Sequence, residues 1–337
     1  MPLTIVLKES THSKNINMKR TFIYTVFCLI MTGSMLVSCD NSDKRGGRTD
    51  TETSGEVTIV ADESLKPVIQ ELIDQFEFKW PKAKINLKDT TENRGFEMIR
   101  DMETCLLFTT RPLKESEEAF LKTKKQIPSV FPIGYDGLAL IIHPQNNDSC
   151  ISVENIKQIL QGEVTQWNEI YKGSNLGKFD VVFDNKESAT LHYVVDSILD
   201  GKPIDNPNIT AANTSAEVIE YVHNTPNAIG IIGSNWLNDK GDSTNLTFIN
   251  KIRVMKVSAI DEATASNSWK PYQVYLLDGR YPFARTVYAI CVDPQRKLPW
   301  SFANYTTSPT GQLIVKRSGL LPYRGDITIK KVNIKKN

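Results

Sequence analysis

Three short polar stretches of this 337-residue chain set hydroxyls and charges where an apolar run gives way to a helical pattern. They are Asp62-Glu63-Ser64, Thr109-Thr110-Arg111 and Lys186-Glu187-Ser188-Ala189-Thr190. A strand that ends in such a turn and opens a helix presents free N–H groups and about half a positive charge, which attract anions and polar ligands. Taken singly, Ser64 and Ser188 do no more than cap a helix. Three such turns in one body point to a shared cleft. Acid–base chemistry has Glu92, Asp136 and Asp184 at its disposal, but their spacing places no two in fixed register. His143, His192 and His223 lack metal-ligand spacing and any nucleophile motif. His192 alone falls near the expected cleft, where a place on a helix surface is its ordinary role. The expectation is therefore a binding protein, without cofactor or metal.

The elements that must position these turns alternate. Residues 57–61 read as a β-branched strand. Leu65, Val68, Ile69, Leu72, Ile73 and Phe76 follow at helical spacing, with Pro67 in the first turn. Residues 83–87 read as the next strand, which completes a βαβ unit and implies parallel pairing. Further strands are expected at 106–110, 135–143, 179–183, 228–233, 252–257 and 286–292. Helices are expected at 115–125, after Ser152, after Ser188, after Ser215 and over 300–317. This alternation calls for an α/β fold with sheets covered on both faces.

The ends carry a different signal. Lys19 and Arg20 precede an apolar run over 22–37 that closes in Leu36-Val37-Ser38-Cys39. The run is too short to span a bilayer and ends in small residues before a cysteine, so it reads as a lipoprotein signal peptide with lipid on Cys39. Residues 1–17 read as a mis-assigned start, 18–38 as the signal peptide and 39–55 as the lipidated cysteine with a flexible tether. The tether has no large apolar residue and a reach of about 20–24 Å. Residues 326–337 read as a tail. Net charge is +1, from 40 basic and 39 acidic residues, which gives no pull toward nucleic acid. Of five cysteines, Cys105, Cys150 and Cys291 lie in the body, an odd number that defines no disulfide framework.

The body also resembles a family. Its markers are Val60-Ala-Asp-Glu-Ser-Leu65, Thr109-Thr-Arg-Pro-Leu113, Tyr135-Asp-Gly-Leu-Ala139, Gly162-Glu-Val-Thr-Gln-Trp167, Ser188-Ala-Thr190, Ala228-Ile-Gly230, Tyr281-Pro-Phe-Ala-Arg285 and Gly311 through Pro322. In this order they are similar to the PstS-type phosphate-binding receptors of ABC importers. The resemblance implies a two-lobed type II periplasmic-binding fold: lobe one at 56–140 and 286–325, lobe two at 141–285, and ligand between them. Two crossovers, near 138–146 and 282–294, would allow hinge closure. The implied site draws on Asp62, Glu63, Ser64, Leu65, Arg94, Arg111, Asp136, Ser188, Ala189 and Thr190. The implied ligand is inorganic phosphate or a similar small anion. The implied partner is an ABC permease, met by a monomer held to a membrane through lipid.

Two positions depart from the pattern. The stretch Thr91-Glu92-Asn93-Arg94-Gly95 lacks the family's serine, and Asp184 stands four residues before Ser188, where the family has an arginine. Arginine holds oxyanions through a bidentate fork. An aspartate there changes the charge by two, and two like charges about 4 Å apart repel by about 4 kcal/mol at an effective dielectric near 20. Arg94 and Arg111, whose turns are expected to face the cleft, are the expected compensating cations. The alternatives are a ligand with a cationic or sugar-like group, a surface lipoprotein that has lost transport, and, in third place, an enzyme.

Overall fold

Val57 to Asp62 alternate early and then bury completely, as a strand does when a sheet covers both its faces. The computed structural model describes residues 48–239, 241–242 and 247–325, so Cys39, the signal segment and the tail lie outside the described residues. In chain order the strands are β1 (Gly55–Asp62), β2 (Ala83–Thr90), β3 (Leu106–Thr109), β4 (Ser129–Ile142), β5 (Cys150–Ser152) and β6 (Asp180–Phe183). They continue as β7 (Ile209–Ala211), β8 (Ala228–Gly233), β9 (Arg253–Val254), β10 (Lys256–Ser258), β11 (Ala284–Cys291) and β12 (Leu321–Pro322). The helices are α1 (Lys66–Lys79), α2 (Glu92–Arg100), α3 (Glu115–Thr123), α4 (Val153–Leu160) and α5 (Trp167–Ile170). Then come α6 (Ala189–Tyr193), α7 (Ser215–Asn224), α8 (Gln273–Leu277), α9 (Leu298–Thr306) and α10 (Pro309–Arg317).

The strands form a type II periplasmic-binding arrangement. The main sheet runs β2-β1-β3-β11-β4-β8-β6-β7. β1 is parallel to β2 and β3, while β11 is antiparallel to both β3 and β4. β4 belongs to both lobes. Residues Ser129 to Gly137 pair with β11, and Leu138 to Ile142 pair with β8. The chain thus leaves lobe one at Gly137-Leu138. It returns at Phe283-Ala284, where the Phe283 carbonyl accepts the Leu138 N–H at 2.8 Å. The two crossovers lie side by side.

Each lobe has its own core. In lobe one, Leu65, Val68, Ile69, Leu72, Ile73 and Phe76 of the first helical segment pack on β1 and on Leu298, Phe302 and Val315. The last two helices therefore complete lobe one. The single helix expected over 300–317 is two, α9 and α10, because Ser308 caps a new helix and Pro309 denies the old one an N–H. The strand expected over 252–257 is likewise split: β9 pairs with β4, and β10 with β5. In lobe two, Leu138, Phe183 and Ile231 meet Trp167 and Tyr281.

The body starts before Glu56. Asp50 is buried and its Oδ2 accepts the Leu298 N–H at 3.1 Å, and Gly55 already belongs to β1. Asp50 and Gly55 are therefore anchored on lobe one with residues 51–53 exposed between them, and the stretch expected as tether is shorter at its C-terminal end.

One glycine tests the packing of lobe two. A Cβ on Gly230 would stand 2.7 Å from side-chain atoms of both Ile141 and Val218 and 2.8 Å from Val222. Gly230→Ala is expected to cost about 1–3 kcal/mol by overpacking, read as a lower midpoint in urea denaturation.

Candidate functional site

β1 ends at Asp62, whose Oδ1 accepts the Ser64 N–H at 3.0 Å and the Ser64 hydroxyl at 2.5 Å. Asp62, rather than Ser64, therefore caps the 3₁₀ turn Glu63–Leu65 that leads into α1. The Ser64 hydroxyl faces the lobe junction, where it donates to Asp62 and accepts from Arg285. Leu65 points the other way, into the lobe-one core. It is part of the turn but not of the polar cluster.

Lobe two supplies the facing turn. Ser188 caps α6 by accepting the Leu191 N–H, and it donates its hydroxyl to Asp184 at 2.7 Å. Asp184 also accepts from the Thr190 hydroxyl at 3.0 Å and from the Asn185 N–H at 3.0 Å. It is fully buried and lies at the centre of the turn. The first N–H of α6, that of Ala189, donates across the lobes to Asp62 Oδ2 at 3.1 Å.

The guanidinium at the centre is Arg285. It sits on β11 directly opposite Asp136 of β4, in antiparallel register at the crossover, where opposite side chains stand close enough to pair. Its Nε and Nη2 donate to Asp136 Oδ2 at 3.1 and 2.9 Å. Nη2 also reaches the Ser64 hydroxyl at 3.1 Å, and Nη1 lies 3.5 Å from Thr190 Oγ1. Asp136 is held on its other oxygen by the Ser234 hydroxyl at 2.9 Å. Arg285 is 2% exposed, and Asp62, Asp136 and Asp184 are 0% exposed. Three carboxylates thus surround one guanidinium at the meeting of both lobes.

A second interlobe contact flanks the first. Glu63 accepts from the Ser215 N–H at 3.1 Å and from its hydroxyl at 2.8 Å, at the start of α7. Asn235 and Trp236 donate to the Ser64 carbonyl at 2.8 and 3.0 Å. On the outer side, His192 of α6 bonds Glu92 of α2 at 2.9 Å. His192 is therefore an interlobe residue and not only a helix-surface one.

The electrostatics follow from burial. Burial first, then the neighbouring Asp184 and Glu92 carboxylates, push Asp62 up to about 7. Burial also raises Glu63 to about 7, against the hydrogen bonds from Ser215. Asp184 is raised for the same first reason. Glu92 goes the other way. Burial raises it, but the bonds from His192 and Thr109 and the nearby Arg111 outweigh burial and hold it low. His192 is raised by its bond to Glu92.

Of the residues expected from sequence, Asp62, Ser64, Asp136, Ser188, Ala189 and Thr190 meet at this junction, and Glu63 lies beside them. Arg94 does not. The stretch expected as a cleft-facing turn is the first turn of α2, capped by Thr91. Glu92 takes the buried face, and two residues on, Arg94 faces solvent and pairs with Glu97 and Glu103 at 3.1 and 2.8 Å. Arg111 stays at the edge. It is forked onto Glu117 at 2.9 Å, lies over the Phe96 ring and comes no nearer the cluster than Glu92 at 3.5 Å. The cation that sequence reasoning missed is Arg285. The signal for it was present in Tyr281-Pro-Phe-Ala-Arg285, but without its strand register the arginine had no partner.

The model of the PBP superfamily domain matches residues 46–310. The chain belongs to this superfamily. It is 20% identical to the phosphate-binding protein PstS of Pseudomonas aeruginosa over 83% of this chain and 86% of that one. It is 21% identical to PstS of Bacillus subtilis over 88% and 93%. Among solved structures, it is similar to a phosphate ABC transporter substrate-binding protein from Clostridium perfringens with bound phosphate. That match has a TM-score of 0.65 and 21% identity, over 80% of this chain and 100% of that one. Such likeness fixes the fold. Among the described residues, no helix is long and apolar enough to cross a membrane.

Proposed function

We propose that this chain is the extracytoplasmic solute-binding lipoprotein of an ABC importer, holding inorganic phosphate or a similar small oxyanion between its lobes and delivering it to a permease. The observation that carries the reading is the meeting of Arg285, Ser64, Ser188, Thr190 and the Ala189 N–H where the lobes join. A guanidinium, hydroxyls and a helix-start N–H are the donors an oxyanion takes. The relatives named above are phosphate-binding proteins, which supports the same ligand. In this reading Arg285, on the edge of lobe one, supplies the guanidinium that the family places where Asp184 stands here. Lipidation of Cys39 would keep a monomeric receptor within a short reach of its membrane.

A second reading keeps the fold and changes the ligand. It rests on the three buried carboxylates around Arg285, which suit a ligand that brings its own donors. One melting screen of the purified protein against phosphate, sulfate, phosphonates, sugars and polyamines decides between them. A binder gains about 2.7 kcal/mol at ligand a hundredfold above its dissociation constant. Phosphate is expected to raise the melting temperature, and Arg94→Ala is expected to leave that shift unchanged. No shift with millimolar phosphate removes phosphate as the ligand, and a shift with a polyamine or sugar selects the second reading.

A further inference from the structure

The donors of the junction are already engaged, and by this chain's own carboxylates. Asp62 Oδ2 takes the Ala189 N–H and Oδ1 takes the Ser64 N–H and hydroxyl. Asp184 takes the hydroxyls of Ser188 and Thr190. The Asp62 carboxylate therefore sits as an oxyanion would. It bridges the lobes, accepts from a backbone N–H on one side and a serine on the other, and feels the charge of Arg285.

We propose that Asp62 is a tethered occupant of this seat: it holds from lobe one the N–H of lobe two, and an incoming oxyanion binds by displacing it. The proposal rests on the oxyanion reading above. It differs from capping alone, which uses only Oδ1. The bond to Ala189 spans 127 positions of sequence and contributes nothing to the turn.

Three features make Asp62 displaceable. It lies at the end of β1, where only a short turn must shift to swing its carboxylate out. It faces Asp184 from lobe two and Glu92 from α2, both of which repel it, with Arg285 as the attracting charge. Neighbouring Glu63 holds the lobes together independently, through Ser215 at the start of α7. The two adjacent acids thus have different tasks: Asp62 fills the seat, and Glu63 keeps the lobes closed around whatever fills it. An ordinary binding turn would lose affinity on losing either one.

The test is calorimetric titration of the purified full-length chain with inorganic phosphate, for wild type, Asp62→Ser and Glu63→Gln. Serine keeps an N-cap acceptor for the turn but does not reach Ala189 and carries no charge. Asp62→Ser is expected to bind phosphate on the order of tenfold more tightly, a gain of about 1.4 kcal/mol. Glu63→Gln is expected to bind more weakly. Asp62→Asn, which also retains a cap acceptor but offers N–H groups toward Ala189, is expected to follow serine and guards against one misfolded variant. Tighter phosphate binding by both Asp62 variants than by wild type supports the displacement, whereas binding by Asp62→Ser with none by wild type shows that phosphate does not displace Asp62 and overturns it. Equal or weaker binding by both Asp62 variants, with wild type binding, overturns the tethered occupant and leaves the phosphate reading standing. No binding by any chain overturns both.

Discussion

Arg285→Ala is expected to cost about 3–5 kcal/mol of stability and to abolish phosphate binding. The cost is what removing one partner of a buried ion pair exacts, because the remaining charge is left buried and unpaired. Here, among the described residues, it leaves the Asp136 carboxylate bonded only to Ser234, with Asp62 and Asp184 still in the same buried cluster. Arg285→Lys keeps the charge but not the planar fork that spans Asp136 and Ser64, so it should retain part of the stability and little of the binding. The double variant Arg285→Met with Asp136→Leu separates the two roles. Replacing a buried pair by apolar residues of similar size is often neutral, so the double variant should regain much of the lost stability without regaining phosphate. Equilibrium denaturation and calorimetry read both. Wild-type phosphate affinity in Arg285→Ala would remove this arginine from the site.

Stability should fall as the solution is made alkaline. Asp62 and Glu63 are both pushed up to about 7 by burial, whereas such groups titrate near 4 in an unfolded chain. The folded protein therefore binds protons that the unfolded one does not. The stability this lends is whole below about pH 4 and is lost as the pH rises through about 7. For Asp62 alone the loss is on the order of 4 kcal/mol between pH 4 and pH 8. His192 is raised too, and its contribution is likewise lost with rising pH. Glu92, held low, acts at the other end: its contribution is present above its unfolded value and fades as the pH falls. The melting temperature should peak near about pH 4–5 and decline toward pH 8, and Asp62→Asn should flatten the decline. A melting temperature that climbs steadily from pH 5.5 to 8 would sink this account.

Both results depend on groups that are not neighbours in sequence. The pair Arg285 and Asp136 is separated by 149 positions, and the bond from Ser215 to Glu63 by 152. What was legible was local. The spacing of Leu65, Val68, Ile69, Leu72, Ile73 and Phe76 announced a helix face, and all six are buried. Ser188 announced a helix start and caps one. The turn at Asp62 was placed correctly, but its capping residue was not, because Asp62 and Ser64 are both good caps and only the backbone path chooses between them. Arg94 was misplaced for a related reason. When 91–95 is read as a turn, its side chains have no phase, whereas in a helix Glu92 and Arg94 must face different ways.

The sequence by itself determined the alternation of strands and helices, the family resemblance, and the turns that carry Asp62, Ser64, Ser188 and Thr190. The alternation and the turns arise from periodicity and capping, whose free energies are settled within a few residues. Only the tertiary structure decided which charges meet. Two crossovers side by side set the register that puts Arg285 on Asp136. Contact between the lobes brings Asp62 to Ala189 and Glu63 to Ser215. The energy of a buried charge depends on every partner within a few ångströms. Here those partners come from β1, β4, β11 and the turn after β6, and no local pattern could have named them together.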